Sequence, residues 1–182
     1  MVDSNQARFN FHPNQHIKNG DELPNHTFYE PTTTKVENQV QLHDLLKNKK
    51  VLVLGVPGAF TPDCSNQVPS FIKLNSEFKQ LGIDTMICIA VNDPWVMRAW
   101  GKDNEIYDNH VFHFLADPKA EYAKLIGLPL DLSSMPHGNV RMARFVALVD
   151  NKIIKHIEIE PDGLHKARSD AEPFLQAIKK IL

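Results

Sequence analysis

The chain has 182 residues, 42% of them hydrophobic and 23% charged, enough to enclose one core of ordinary size without disulfide staples. Its 20 basic and 22 acidic residues are mixed along the length and leave a formal net charge of -2, which excludes a basic face for nucleic acid and favours a small, near-neutral substrate. No apolar run nears the ~20 residues of a membrane span, and the N-terminal MVDSNQARFNFHPNQH lacks the apolar core of a signal peptide, so a soluble, cytoplasmic protein without membrane association is expected.

Residues 1–17 read as a polar arm ahead of the turn at Asn19-Gly20, and residues 18–182 as a single domain. A short helix is predicted over residues 42–46. The uninterrupted apolar run of residues 51–56 then reads as a strand buried on both faces. Val68, Phe71, Ile72, Leu74, Phe78 and Leu81 recur at helical spacing, with Gly82 as the stop, and residues 84–91 form a second apolar strand. Asn92-Asp93-Pro94 suit a helix start, with Gly101 ending that helix. Residues 111–115 are a third strand, and Asp117-Pro118 opens a helix running to Gly127. Residues 144–149 and 152–159 pair as a hairpin about Asp150-Asn151, and residues 171–182 close the chain as an amphipathic helix. The pattern predicts an α/β fold with a mixed central sheet flanked by helices.

The junction between the first long strand and its helix reads GVPGAFTPDCS, residues 55–65. Pro57 and Pro62 stiffen it. Cys64 falls in the first helical turn, beside unpaired backbone N–H groups and the positive end of the helix dipole, which favour thiolate over thiol. Cys64 is therefore a candidate nucleophile, and the Thr61 hydroxyl, three residues upstream, can bond the sulfur or an oxygen approaching it. The competing reading is a small apolar residue packed under a helix start. Asp63 points to a partly solvated site, although its carboxylate opposes thiolate formation unless it faces outward.

The spacing Pro57-x-x-x-Thr61-x-x-Cys64 resembles the active-site signature of peroxiredoxins, and PGAFTPDCS resembles the type II, peroxiredoxin-5-like subgroup. The resemblance continues in family order through residues 91–101, Leu115-Ala116-Asp117-Pro118, Arg144-Phe145 and Glu160-Pro161-Asp162-Gly163. It implies a thioredoxin-like fold and a thiol peroxidase acting on hydrogen peroxide and small organic hydroperoxides. Cys64 would be the peroxidatic cysteine that becomes a sulfenic acid. Thr61 and the backbone amides of Asp63 and Cys64 would hold the peroxide, Pro57 would shield the sulfur, and Arg144 would stabilise thiolate and transition state. Arg141, also near that strand, does not sit at the motif's position. No metal, flavin or nucleotide is implied, since the sulfur itself is the redox centre.

The animal-type members of the subgroup carry a resolving cysteine after Glu-Pro-Asp-Gly, where residues 164–169 hold none. Cys88 stands where plant-type members carry theirs, inside a strand, and is either a resolving cysteine or core packing. Glutathione, glutaredoxin or thioredoxin is the electron donor the resemblance implies. One departure is that Ser65-Asn66-Gln67-Val68 is one residue shorter than the subgroup usually has before its matching proline. A thioredoxin-type carrier fails on residue identity, because position 67 of a Cys-x-x-Cys is Gln67. A non-catalytic thioredoxin-fold binding or interaction module is the alternative from another class. His110 and His113 flank a strand on opposite faces and are read as surface or structural, leaving no metal site. Trp95 and Trp100 with Phe60 are read as core, and by resemblance this region is also where such proteins form homodimers.

Overall fold

The computed structural model describes residues 8–9, 16–109 and 112–182. In chain order the elements are β1 (Arg8–Phe9), β2 (Thr27–Tyr29), β3 (Gln39–Gln41), α1 (Leu42–Leu46), β4 (Lys50–Val56), α2 (Pro62–Lys73), α3 (Asn75–Gln80) and β5 (Thr85–Ala90). They continue with α4 (Pro94–Asp103), α5 (Ile106–Asn109), β6 (Phe112–Ala116), α6 (Glu121–Leu125), β7 (Pro129–Asp131), β8 (Val140–Met142), β9 (Phe145–Asp150), β10 (Ile153–Ile159) and α7 (Ala171–Ile178). Seven strands form the main sheet in the order β10-β9-β4-β5-β6-β2-β3, and β1-β7-β8 form a small second sheet. β4, β5 and β6 run parallel, and the outer strands pair antiparallel, so the sheet is mixed as expected.

The apolar run of β4 is explained by burial on both faces. Leu52, Leu54 and Val56 join Met86, Cys88 and Ala90 of β5 in one layer beneath Val68 and Phe71 of α2, Met97 and Trp100 of α4, and Phe174 and Ile178 of α7. The alternate residues Val51, Val53, Ile87 and Ile89 enter the opposite layer with Leu42, Leu46, Phe28 and Tyr122. Period-two side-chain alternation thus assigns Cys88 to the same layer as Cys64. Gly55 breaks the run because an added Cβ would lie 2.1 Å from Cε1 of Phe145, its cross-strand partner on β9.

Several boundaries differ from the sequence reading. The long predicted helix is interrupted at Leu74 (φ -93, ψ 14), giving α2 and α3 in place of one helix. Gly101 does not end α4, which continues to Asp103. Its missing side chain instead admits Tyr107 and Ile106, whose atoms would lie 3.0 and 3.1 Å from a Cβ there. α6 begins at Glu121, after a turn in which the buried Asp117 carboxylate accepts from the N–H groups of Glu121 and Ala123. The hairpin turn is Asn151-Lys152, both at positive φ, with Asp150 still paired to Ile153. α7 stops at Ile178. The three-residue strands β2, β3, β7 and β8 were not anticipated. Ile17, assigned to the arm, is buried in the core and donates its N–H to the Ile126 carbonyl. Arg8–Phe9 pair with β7, and the rest of residues 1–15 lies outside the described residues, as do His110 and Val111.

Candidate active site

The C-terminal ends of β4 and β5 carry the site. β4 runs into buried Pro57 and Gly58, and the loop then turns through Phe60 at φ 63, a left-handed conformation unusual for a bulky side chain. Asn92, just past β5, accepts the Ala59 N–H at 2.9 Å and ties the two strand ends together. Thr61 is the N-cap of α2 and Pro62 occupies its first turn, where a missing N–H costs nothing. The Thr61 hydroxyl donates to the Gly58 carbonyl at 2.9 Å, a bond within the loop that leaves its oxygen lone pairs able to accept. The first α-helical bond is from Ser65 N–H to the Thr61 carbonyl, so the N–H groups of Asp63 and Cys64 precede the ladder and have no intrahelical acceptor.

Cys64 is 0% exposed, so its side chain does not occupy the partly solvated setting that Asp63 had implied; Asp63 itself is half-buried. Arg144, 1% exposed and one residue ahead of β9, reaches across the core to it: Nη2 donates to Cys64 Sγ at 3.3 Å. Its Nε donates to the Leu164 carbonyl at 2.8 Å and Nη1 to Oε1 of Gln67 at 2.6 Å, while its own N–H is fixed to the Gly163 carbonyl. Three directed bonds therefore aim a buried cation at the sulfur, a charge-assisted geometry that a solvated arginine could not hold.

The predicted residues Pro57, Thr61, Cys64 and Arg144 thus converge. Arg141, set aside in the sequence, reaches from β8 to pack against the same loop: Nη1 donates to the Val91 carbonyl at 2.8 Å, Nη2 to the His137 carbonyl at 3.0 Å, and a Cβ on Gly58 would lie 3.3 Å from Nη1. Burial lowers the Arg141 guanidinium from its ordinary value and the charge of Cys64 opposes that. Cys88 is fully enclosed at the sheet centre; burial, and then the neighbouring Cys64, push its thiol well up, with Arg144 opposing. Both cysteines are free. His113 instead contacts Glu30, and among the described residues no three His, Cys, Asp or Glu side chains gather as a metal site. Trp100 is buried, whereas Trp95 and Phe60 are 58% and 52% exposed, contrary to the reading of all three as core.

The sequence reading gave no site role to Gln67, Ser169 or Glu160, although Gln67 sits on the inward stripe Cys64, Gln67, Val68, Phe71, where a polar residue is out of place. Gln67 Nε2 donates to the Ser169 carbonyl at 2.7 Å and to its hydroxyl at 3.1 Å. That hydroxyl donates to Oε1 of Glu160 at 2.7 Å.

Known proteins are similar to this chain over most of its length. The family model described as Redoxin matches residues 18–175. Peroxiredoxin-2D of Arabidopsis thaliana is 44% identical over 140 residues, covering 76% of this chain and 84% of that protein. The crystal structure of peroxiredoxin 5 from Alvinella pompejana superposes with a TM-score of 0.77 at 35% identity, covering 90% of this chain and 99% of that one. Reduced Prx3 of Vibrio vulnificus in complex with hydrogen peroxide gives a TM-score of 0.77 at 32% identity, covering 89% and 99%.

Proposed function

Since this chain belongs to the Redoxin family, as a type II peroxiredoxin of thioredoxin-like fold and hence an antioxidant thiol peroxidase, we propose that Cys64 is its peroxidatic nucleophile. The observation that carries the assignment is the 3.3 Å bond from Arg144 to a fully buried sulfur at a helix start. The Cys64 sulfur supplies an electron pair to one peroxide oxygen. The S–O bond forms as the O–O bond breaks, and the departing oxygen leaves as hydroxide that takes a proton to become water. Arg144, the amides of Asp63 and Cys64, and the Thr61 oxygen bind the peroxide in line, while Pro57 keeps water from the sulfur.

Hydrogen peroxide and small organic hydroperoxides are the substrates, a reading supported by the peroxide complex of the Vibrio protein. The sulfenic acid condenses with an external thiol, releasing water, and a second thiol displaces the mixed disulfide to restore Cys64. Glutathione with glutaredoxin, or thioredoxin, supplies those thiols. The raised Cys88 thiol, enclosed in the sheet, favours this route over an internal Cys64–Cys88 disulfide. Residues 18–182 act as one catalytic domain in the cytoplasm. A homodimer forms over the exposed Phe60 and Trp95 beside the site loop.

The alternative of an idle binding module is not favoured, since packing alone does not call for a buried guanidinium directed at a sulfur. One equivalent of hydrogen peroxide, added to reduced protein without other thiols, separates the readings. Intact mass should show rapid gain of one oxygen at Cys64 in wild type and Cys88→Ser, and none in Cys64→Ser. Reaction no faster than that of a free thiol would overturn the assignment.

A further inference from the structure

Arg144 is a buried cation with no carboxylate paired directly to it among the described residues. Such a charge is costly unless compensated. Glu160, 2% exposed, is the buried carboxylate in its hydrogen-bonded network. Its Oε1 accepts from the Ala167 N–H at 2.6 Å, the Ser169 N–H at 2.8 Å and the Ser169 hydroxyl at 2.7 Å. The two side chains are joined by a neutral bridge of the Gln67 amide and Ser169, through both its hydroxyl and its backbone, while the Glu160 N–H donates to the Arg144 carbonyl at 3.0 Å.

The bridge has a single direction. Arg144 has only donors, so Gln67 must present Oε1 to it and Nε2 to Ser169, and Ser169 must turn its proton to Glu160. Every hydrogen bond therefore points from cation to anion, and each polarises the next. A carboxylate touching the guanidinium would compete with the sulfur for its donors. Held two residues away, the charge of Glu160 orients the guanidinium and leaves Nη2 for Cys64. Gln67 lies on the inward face of α2, three residues after Cys64.

We propose that Glu160 is a positioning residue of the peroxidase site, acting through Ser169 and Gln67 to aim the Arg144 guanidinium at Cys64. The proposal rests on the assignment of Cys64 and Arg144 above. Loss of an orienting partner of this kind lowers activity by about tenfold or more. Glu160→Gln should slow the single-turnover oxidation of Cys64 by hydrogen peroxide by about that factor, and Ser169→Ala, which removes the hydroxyl link while the Ser169 carbonyl still holds Gln67 and its N–H still holds Glu160, by about threefold.

The decisive readout is a double-mutant cycle with Arg144→Lys, a change that removes the planar fork the relay addresses. In that background Glu160→Gln and Ser169→Ala should each cost less than about twofold, because the planar fork that they orient is gone. Equal slowing in both backgrounds, or no slowing in the wild-type background, would reduce the relay to a structural brace and overturn the proposal. If Glu160→Gln fails to fold, Ser169→Ala carries the cycle alone. Failure of the underlying assignment looks different: Arg144→Lys by itself would then leave the peroxide rate unchanged.

Discussion

Cys64 and Arg144 stand 80 positions apart and meet as donor and sulfur at 3.3 Å, one on the first turn of α2 and the other at the entry to β9. The antiparallel register of β4 with β9, in which Gly55 faces Phe145, places the residue before Phe145 level with Val56 at the end of β4, next to the loop that carries the site. The sheet therefore sets the distance between nucleophile and cation.

Replacing Arg144 by lysine should accordingly cost about 10²–10³ in the second-order rate of peroxide reduction, the size expected when one preorganised donor is withdrawn from a developing charge. A lysine retains charge but cannot bond Leu164, Gln67 and Cys64 at once. Stopped-flow oxidation at matched pH measures this. A loss below tenfold would mean that the guanidinium geometry is not what the reaction uses.

Gly55 offers a test of the scaffold. An alanine there would bring Cβ to 2.1 Å from Phe145 and 2.7 Å from Sδ of Met142, so a buried ring must move. Overpacking of this kind costs about 1–3 kcal/mol, or a melting temperature lower by roughly 2–4 °C per kcal/mol in a chain of this size. Thermal unfolding followed by circular dichroism should show the drop. Gly55→Ala in a Phe145→Leu background should recover part of it, and failure to recover any would assign the cost elsewhere.

These tests also mark what the sequence could reveal. β4 and β5 were legible because burial on both faces leaves an unbroken apolar run, and Asp150-Asn151 located the hairpin to within one residue. Gly101 misled because glycine marks helix ends and close approaches alike, and only the packing of Tyr107 distinguishes them. β2, β3, β7 and β8 are three residues each, too short to show alternation. Cys64 had a local physical signal, whereas Arg144 was legible only through resemblance. Glu160 and Ser169 look like surface residues in one dimension, and Gln67 shows only as a polar residue on an inward helical stripe; their shared network follows from contacts 9 to 102 positions distant.

Cys88 should be chemically silent in the native protein. Burial raises its thiol, and the sheet encloses it between Leu54 and Phe114, so a small alkylating reagent at pH 8 should leave it unmodified while Cys88 in urea reacts freely. Peptide mass mapping before and after unfolding reads both states. Native labelling of Cys88 at a rate like that in urea would reopen an internal disulfide, since the strand would then have to open on the time scale of the chemistry.

His137 predicts an acid-side loss of stability. Burial, and then the Arg141 guanidinium beside it, hold its imidazole below the ordinary 6.5, so the folded protein binds this proton less readily than the unfolded chain. Where the unfolded state binds more protons, stability rises with pH. The contribution is thus fully present above about 6.5 and is lost progressively as pH falls through the lowered folded value. Because the His137 carbonyl also accepts from Arg141 Nη2, protonation adds a like charge to the segment that holds Arg141 against Gly58. Between pH 7 and pH 5 the melting temperature of wild type should fall further than that of His137→Gln, whose amide does not titrate. Parallel curves for the two proteins would show that the acid sensitivity arises at other groups.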